Sequence, residues 1–384
     1  MVFKMTAKLQ NTIMAYEKVH GDQLFDGTKL WGNEKVLVTN TTGRRIDIID
    51  RESAGDNVRY VPGLITPGFV NAHCHVELSH LKDVVPQHTG LVPFLLQVVS
   101  KRDFDKELIR EKIQLAIREM KKDGIIAVGD ICNTADSLEQ KSRSGIHWQN
   151  FVEVLSITES KTAENIAHYN SIVDLYEHND IGRSSLVPHA SYTVNSLAFK
   201  MINNATENKL ISIHNQETPA EDHLYQTGDS EFLELYKFFG INSSPFPVTG
   251  KTSIRSYLPH FNKGQKIILV HNTFMPEDDI DWANNYAQVT GIELVYCFCV
   301  NANLYIENTV PPIQKFIDRD CRIVIGTDSY SSNTELKISH EIATIRKCFP
   351  SIPVETILKW ATVNGAETLG IETKWVTGLQ PVVY

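Results

Sequence analysis

From residue 64 to about residue 370, short apolar runs alternate with longer amphipathic stretches, and this rhythm constrains the fold more than any other feature. Leu64 to Ala72 is the first strand-like run, followed by Ile125 to Val128 and Trp148 to Leu155. Leu186 to His189 is the fourth, Leu210 to His214 the fifth and Lys266 to His271 the sixth. Ile292 to Cys297 and Arg322 to Gly326 complete the series. Between them, Lys106 to Lys121 carries Leu108, Ile109, Ile113, Leu115, Ala116, Ile117 and Met120 at helical spacing, and Ala163 to Tyr176 reads the same way. Strands that alternate with helices pair in parallel, because each return crosses over through a helix. Eight such units in roughly 300 residues predict an α/β chain closed into a (β/α)8 TIM barrel. An open doubly wound sheet would need a G-x-G-x-x-G turn after an early strand, and none occurs there.

The segment before residue 64 has another character. Glu34 to Thr39 and Arg45 to Ile49 read as short strands, with a turn signal at Thr42-Gly43. After a last helix at about Pro353 to Leu369, the tail ends Val382-Val383-Tyr384 and can add a strand to that unit. The expected division is a small β-sandwich of residues 1–63 plus 371–384 and a barrel of residues 64–370. The stretch Glu217 to Lys263 exceeds a usual βα loop and holds an amphipathic piece, Glu231 to Phe239. Such connections often form lids or substrate pockets.

Composition narrows the partners. The net charge is -9 and no basic stripe appears, which argues against nucleic acid and anionic membrane surfaces. No apolar run approaches the roughly 20 residues that span a bilayer, and the first residues lack an apolar signal core. A soluble, cytoplasmic enzyme with a small-molecule substrate is expected. The six cysteines form no C-x-x-C pair, so reduced and mostly buried thiols are expected rather than disulfides.

Chemistry concentrates at Pro67-Gly68-Phe69-Val70-Asn71-Ala72-His73-Cys74-His75. Strand alternation points His73 and His75 to one face, where two imidazoles can meet one metal ion. A lone H-x-H is a weak pattern. His189, His214 and His271, however, end the fourth, fifth and sixth strand runs, and Asp328 closely follows the eighth. In a (β/α)8 barrel the active groups come from these C-terminal strand ends. His75-Val76-Glu77 also spells the H-x-E of the cytidine-deaminase fold, but the P-C-x-x-C that would complete that zinc site is absent.

With these motifs in order, the chain resembles the amidohydrolase superfamily, in its aminohydrolase and chlorohydrolase branch, over roughly residues 60 to 370. The likeness rests on the leader Leu64 to His75, on His214-Asn215-Gln216-Glu217, on His271 and on Asp328. The glutamate of His75-Val76-Glu77, Pro188-His189-Ala190-Ser191-Tyr192-Thr193-Val194, Val270-His271-Asn272 and Asp328-Ser329-Tyr330-Ser331-Ser332-Asn333 look closest to the aminofutalosine and nucleoside deaminases of that branch. The resemblance implies one divalent metal on His73, His75, His214 and Asp328, with zinc suited to such ligands and iron(II) compatible. The binuclear members need a lysine at the end of the fourth strand, where this chain has none. Metal binding would lower the pKa of a water to about 7 and so supply hydroxide. Glu217 would protonate the ring nitrogen and pass a proton to departing ammonia, His271 would orient the attacking oxygen, and Asp328 would accept its proton. Glu77, His189 and Asn303 are the expected substrate contacts.

The implied activity is hydrolytic deamination of an amino-substituted N-heterocycle. Cyclic amide hydrolysis or removal of a ring chlorine would use the same groups. A catalytically silent binding relative would have lost a ligand or Glu217, and none is lost. Homo-oligomers, dimers above all, are common in the family. Two departures stand out. The family's C-P-x-S-N after the seventh strand is replaced by Cys299-Val300-Asn301-Ala302-Asn303, and the C-terminal tail is short.

Overall fold

The computed structural model describes residues 16–41 and 43–379. They fall into two compact units, one of Gly68–Glu372 and one of the residues up to Pro67 together with those from Thr373.

In the larger unit, β1 (Phe69–Cys74), β2 (Ile125–Cys132), β3 (His147–Val154) and β4 (Arg183–Pro188) form one parallel sheet. β5 (Leu210–Asn215), β6 (Lys266–His271), β7 (Glu293–Phe298) and β8 (Ile323–Ile325) form a second. Backbone bonds bridge both seams between them. His214 N donates to His189 O at 3.0 Å, and Thr327 N and Asp328 N donate to His73 O at 3.0 and 3.1 Å. At the second seam the chains approach closely: a Cβ on Gly326 would lie 2.8 Å from His73 Cβ and 2.9 Å from Cys299 Sγ, so only glycine fits.

The strands read as near-continuous apolar runs because both faces are covered. The helix Lys106–Lys122 shows how the cover forms. Asp105 caps it by accepting from the backbone N–H of Glu107 and Leu108, and its buried face carries Ile109, Ile113, Ala116, Ile117 and Met120. The helix Thr162–His178 buries Ile166, Ile172, Val173 and Tyr176 in the same way. One expected strand is divided. Leu64–Pro67 pairs within the smaller unit, and only Phe69–Cys74 belongs to the parallel set.

The long connection after β5 contributes the helices Pro219–Gln226, Phe232–Phe238 and Ser253–Tyr257. Its Leu224, Tyr225, Phe232, Leu235 and Tyr236 pack with Tyr192 and with Leu91, Phe94 and Val98 of the helix Leu91–Lys101. Tyr192 stacks on Phe232 with ring centroids 3.9 Å apart. The connection is therefore a packed cover rather than an open loop.

In the smaller unit, Tyr16–His20 lies between Lys35–Asn40 and Val58–Tyr60, with Arg45–Asp50 beyond Lys35–Asn40. A second sheet runs Trp375–Leu379, Leu64–Pro67, Gln23–Phe25, Leu30–Trp31. Val19 and Leu37 of the first sheet and Leu24 and Ile65 of the second share one apolar cluster. The tail thus adds a strand at Trp375–Leu379, while Val382-Val383-Tyr384 and the turn residue Thr42 lie outside the described residues. Among the described residues no helix is long and apolar enough to cross a membrane.

Candidate active site

The C-terminal ends of β1, β5 and β6 and the turn after β8 bring four histidines and a carboxylate together. His73 Nε2 lies 3.1 Å from His75 Nε2. Asp328 Oδ1 lies 3.5 Å from the first and 3.2 Å from the second. The His214 ring is 4.9 Å from that of His73, and the His271 ring 5.5 Å from that of His214. Two ligands held at 2.0–2.1 Å on a tetrahedral ion stand about 3.3 Å apart, close to the spacing here.

The electrostatics suit a cation. Burial pushes His75 and His271 down to about 4 and His214 well below its ordinary range, so all three are neutral near pH 7 and offer a lone pair. Burial alone would raise Asp328, but its bond with His73 and the imidazoles of His75 and His271 hold it well below the usual carboxylate range. The donor set of neutral nitrogens and one ionised carboxylate fits a divalent metal.

Outer contacts orient these rings. His214 Nδ1 donates to His189 O at 2.8 Å, which leaves Nε2 as the free donor atom. His271 Nδ1 lies 3.3 Å from Asn303 Oδ1, and Asn303 Nδ2 donates to Thr273 Oγ1. Ser332 Oγ donates to Asp328 Oδ2. His271 and Asp328 take positive φ, 74° and 58°, a region that costs a non-glycine residue about 1–3 kcal/mol. The seam bond from Asp328 N to His73 O, and within the second sheet the bond from Asn272 N to Asn215 O, hold the backbone there.

Glu217 faces the same group. Its Oε1 lies 3.6 Å from His271 Nε2, and its backbone N–H donates to Glu221 Oε1 at 2.7 Å. Burial pushes its carboxyl well above the ordinary range, with Asp328 and Glu221 adding to the effect. Above these residues opens a cavity. Leu78, Leu91, Phe94, Leu95, Leu235 and Phe239 form apolar walls, and Arg102, Asn133, Glu153 and His189 a polar side.

His73, His75, His214, His271, Asp328 and Glu217 therefore meet at one place, with His189 beside them, its ring 4.9 Å from that of His214. Two expected substrate contacts lie elsewhere. Glu77 turns away from the cavity: its Oε2 accepts from the backbone N–H of Asn133 and Thr134 at 3.0 and 3.1 Å, so it clamps the loop after β2. Asn303 stands behind His271 rather than in the cavity. The sequence reading also missed three residues. Asp130 on β2 accepts from Val76 N–H at 2.9 Å, directly after His75, and pairs with Lys141 at 2.6 Å with both side chains fully buried. Glu153 is the last residue but one of β3 and lines the cavity. The strand-end rule that selected His189 and His214 would have selected Glu153 too.

Comparison with known proteins gives the larger unit its place, since residues 64–374 match the Amidohydrolase family. The chain belongs to the amidohydrolase family. A 5-methylthioadenosine/S-adenosylhomocysteine deaminase of Thermodesulfovibrio yellowstonii is 23% identical over 325 residues, 80% of this chain and 68% of that one. An aminodeoxyfutalosine deaminase of Nitratiruptor is 24% identical, over 80% and 75%. The fold resembles the crystal structure of Helicobacter pylori aminofutalosine deaminase in complex with methylthio-coformycin, with a TM-score of 0.79 and 19% identity over 95% of this chain and 90% of that one. Within this amidohydrolase, the site just described occupies the C-terminal strand ends where catalytic groups of α/β barrels gather.

Proposed function

We propose that this amidohydrolase is a hydrolytic deaminase of an adenosine-like nucleoside. One observation carries the reading: Glu217, a buried carboxyl 3.6 Å from His271 Nε2, stands beside the histidine and aspartate cluster at the floor of a mostly apolar cavity. The relatives named above are deaminases of 5-methylthioadenosine and S-adenosylhomocysteine and of aminodeoxyfutalosine, and apolar walls suit an adenosine-like base with an apolar substituent rather than a phosphate ester.

His73, His75, His214 and Asp328 would hold one divalent metal, zinc by the preference of such ligands. Bound there, the metal supplies Lewis-acid activation of water. The remaining work falls to side chains. Glu217 delivers a proton to the ring nitrogen as a water oxygen attacks the amino-bearing carbon; of the two protons that oxygen gives up, the second by way of Asp328, one restores Glu217 and the other goes to the amino group, which leaves as ammonia. His271, steadied by Asn303, stabilises the charge that develops at that carbon's new oxygen. His189 contacts the substrate from the polar side of the cavity. We read the two parallel sheets, bridged at both seams, as one closed (β/α)8 barrel, and the smaller unit as a β-sandwich.

The test is ammonia release from adenosine, 5′-methylthioadenosine, 5′-deoxyadenosine, guanine and cytosine by zinc- and iron-loaded protein. Turnover of an adenosine-like substrate is expected, and E217Q should lower kcat about 10²–10⁴-fold with metal content retained. No turnover of any amino-heterocycle by metal-replete protein defeats the proposal.

A further inference from the structure

Glu153 has no part in the chemistry above, yet it is the most conspicuous polar group of the cavity. Its side chain is 4% exposed. Oε2 is anchored by Asn133 Nδ2 at 3.1 Å, and Arg102 Nη2 lies 3.4 Å from Asn133 Oδ1, which turns that amide's NH2 toward Glu153. The other oxygen, Oε1, is buried and has no hydrogen-bond partner. The nearest basic atom is His214 Nδ1 at 3.7 Å, but that N–H is already given to His189 O at 2.8 Å. Buried carboxylate oxygens are almost always satisfied, and one left bare in a cavity wall is an acceptor kept for a ligand.

The surroundings say what kind of ligand. On this side the wall offers Arg102, Asn133, His189 and Thr193 beside Glu153, whereas Leu78, Leu91, Phe94, Leu95, Leu235 and Phe239 make the facing wall apolar. The His189 ring bonds Thr193 Oγ1 through Nδ1 at 2.7 Å, which leaves Nε2 as a further polar atom. A purine joined through N9 has no ring N–H left to give here once its amino-bearing edge faces Glu217. A sugar does.

We propose that Glu153 selects for a substrate whose base carries a hydroxylated sugar, its free Oε1 accepting a hydrogen bond from one of the sugar's hydroxyls. The inference rests on the nucleoside deaminase reading and adds the residue that discriminates nucleoside from free base and from deoxygenated nucleoside. Glu153 is a specificity residue: it touches substrate away from the reacting atoms.

The experiment compares adenosine, 2′-deoxyadenosine, 3′-deoxyadenosine, 2′,3′-dideoxyadenosine and adenine on wild type, E153L and E153A, with bound metal measured on each. Wild type should favour adenosine over the dideoxynucleoside by about 10- to 100-fold in kcat/KM, the range of one hydrogen bond to a charged group. In E153L and E153A that ratio should collapse to within about threefold. A wild type that treats all four nucleosides alike overturns the proposal, even if the variants do not fold. So does a ratio that survives in folded variants, or a second bound metal per chain that disappears with Glu153, which would make it a ligand instead. Calorimetric binding of inosine and 2′,3′-dideoxyinosine separates the two readings. Discrimination by binding without any deamination defeats the deaminase reading and supports Glu153. Deamination without discrimination does the reverse, and the absence of both overturns both.

Discussion

Replacing Lys141 by methionine isolates the ion pair beside the histidine and aspartate cluster. Lys141 Nζ lies 2.6 Å from Asp130 Oδ2, with both side chains fully buried. The ammonium also donates to Asn150 Oδ1 at 2.8 Å and sits 4.7 and 5.0 Å from the rings of Tyr176 and Trp148. K141M keeps the volume of the stem but strands the Asp130 carboxyl and one lone pair of Asn150. Breaking one side of a buried pair costs about 3–5 kcal/mol. With about 2.1 cal/mol/K of unfolding entropy per residue across Gly68–Glu372, the loss corresponds to a Tm drop of about 5–8 °C. In D130N/K141M an amide oxygen can still accept from Val76 N–H and no charge is left alone, so the double variant should recover about 2–3 kcal/mol relative to the sum of the singles. The assay is urea unfolding of chelator-treated protein, which removes metal linkage from the comparison. A K141M loss below about 1 kcal/mol, or additive single variants, would refute the argument. Because Asp130 also fixes the residue after His75, D130A should weaken metal binding about 10–100-fold in a competition titration, and unchanged affinity would show that the pair serves stability alone.

Three more outcomes follow from the same geometry. Glu341 is fully buried and accepts from Asn301 and Asn333, and burial pushes its carboxyl up to about 7 from 4.5. The folded state then holds a proton that the unfolded chain releases, so the Glu341 contribution is full below pH 4.5 and is lost as pH rises through 7, by about 3 kcal/mol. E341Q should flatten that slope in stability measured from pH 4 to 8, and an unchanged slope counts against it. Removing metal with a chelator should abolish turnover and lower Tm, and zinc at a hundredfold excess over its Kd should restore about 2.7 kcal/mol. N303L frees the His271 ring, so kcat should fall about 10–100-fold with little change in KM, and a pure KM effect would assign Asn303 to substrate instead.

The residues themselves settle much of this protein. Period-2 and period-3.6 patterns report which face of each element is apolar, and burial depends on that directly. The eight strand runs could therefore be read in order, and each proved to be a strand within a few residues of its expected place. The ends of those runs placed His73, His75, His214, His271, Asp328 and Glu217 at one level, because parallel strands point their C-termini the same way. Tertiary structure decided what periodicity does not encode. Leu64 to Ala72 is one uninterrupted apolar run, yet its first four residues pair with Gln23–Phe25 and Trp375–Leu379, since pairing depends on partners distant in sequence. Glu77 stands two residues beyond His75, but a short helical turn at Val76–Leu81 swings it onto the loop after β2. Asp130 and Lys141 carry no motif and acquire their role only because the fold brings the two charges together out of water. Glu153 belongs to both accounts: its strand end was legible, but the single unsatisfied oxygen that gives it a purpose exists only once Asn133, His189 and His214 have closed around it.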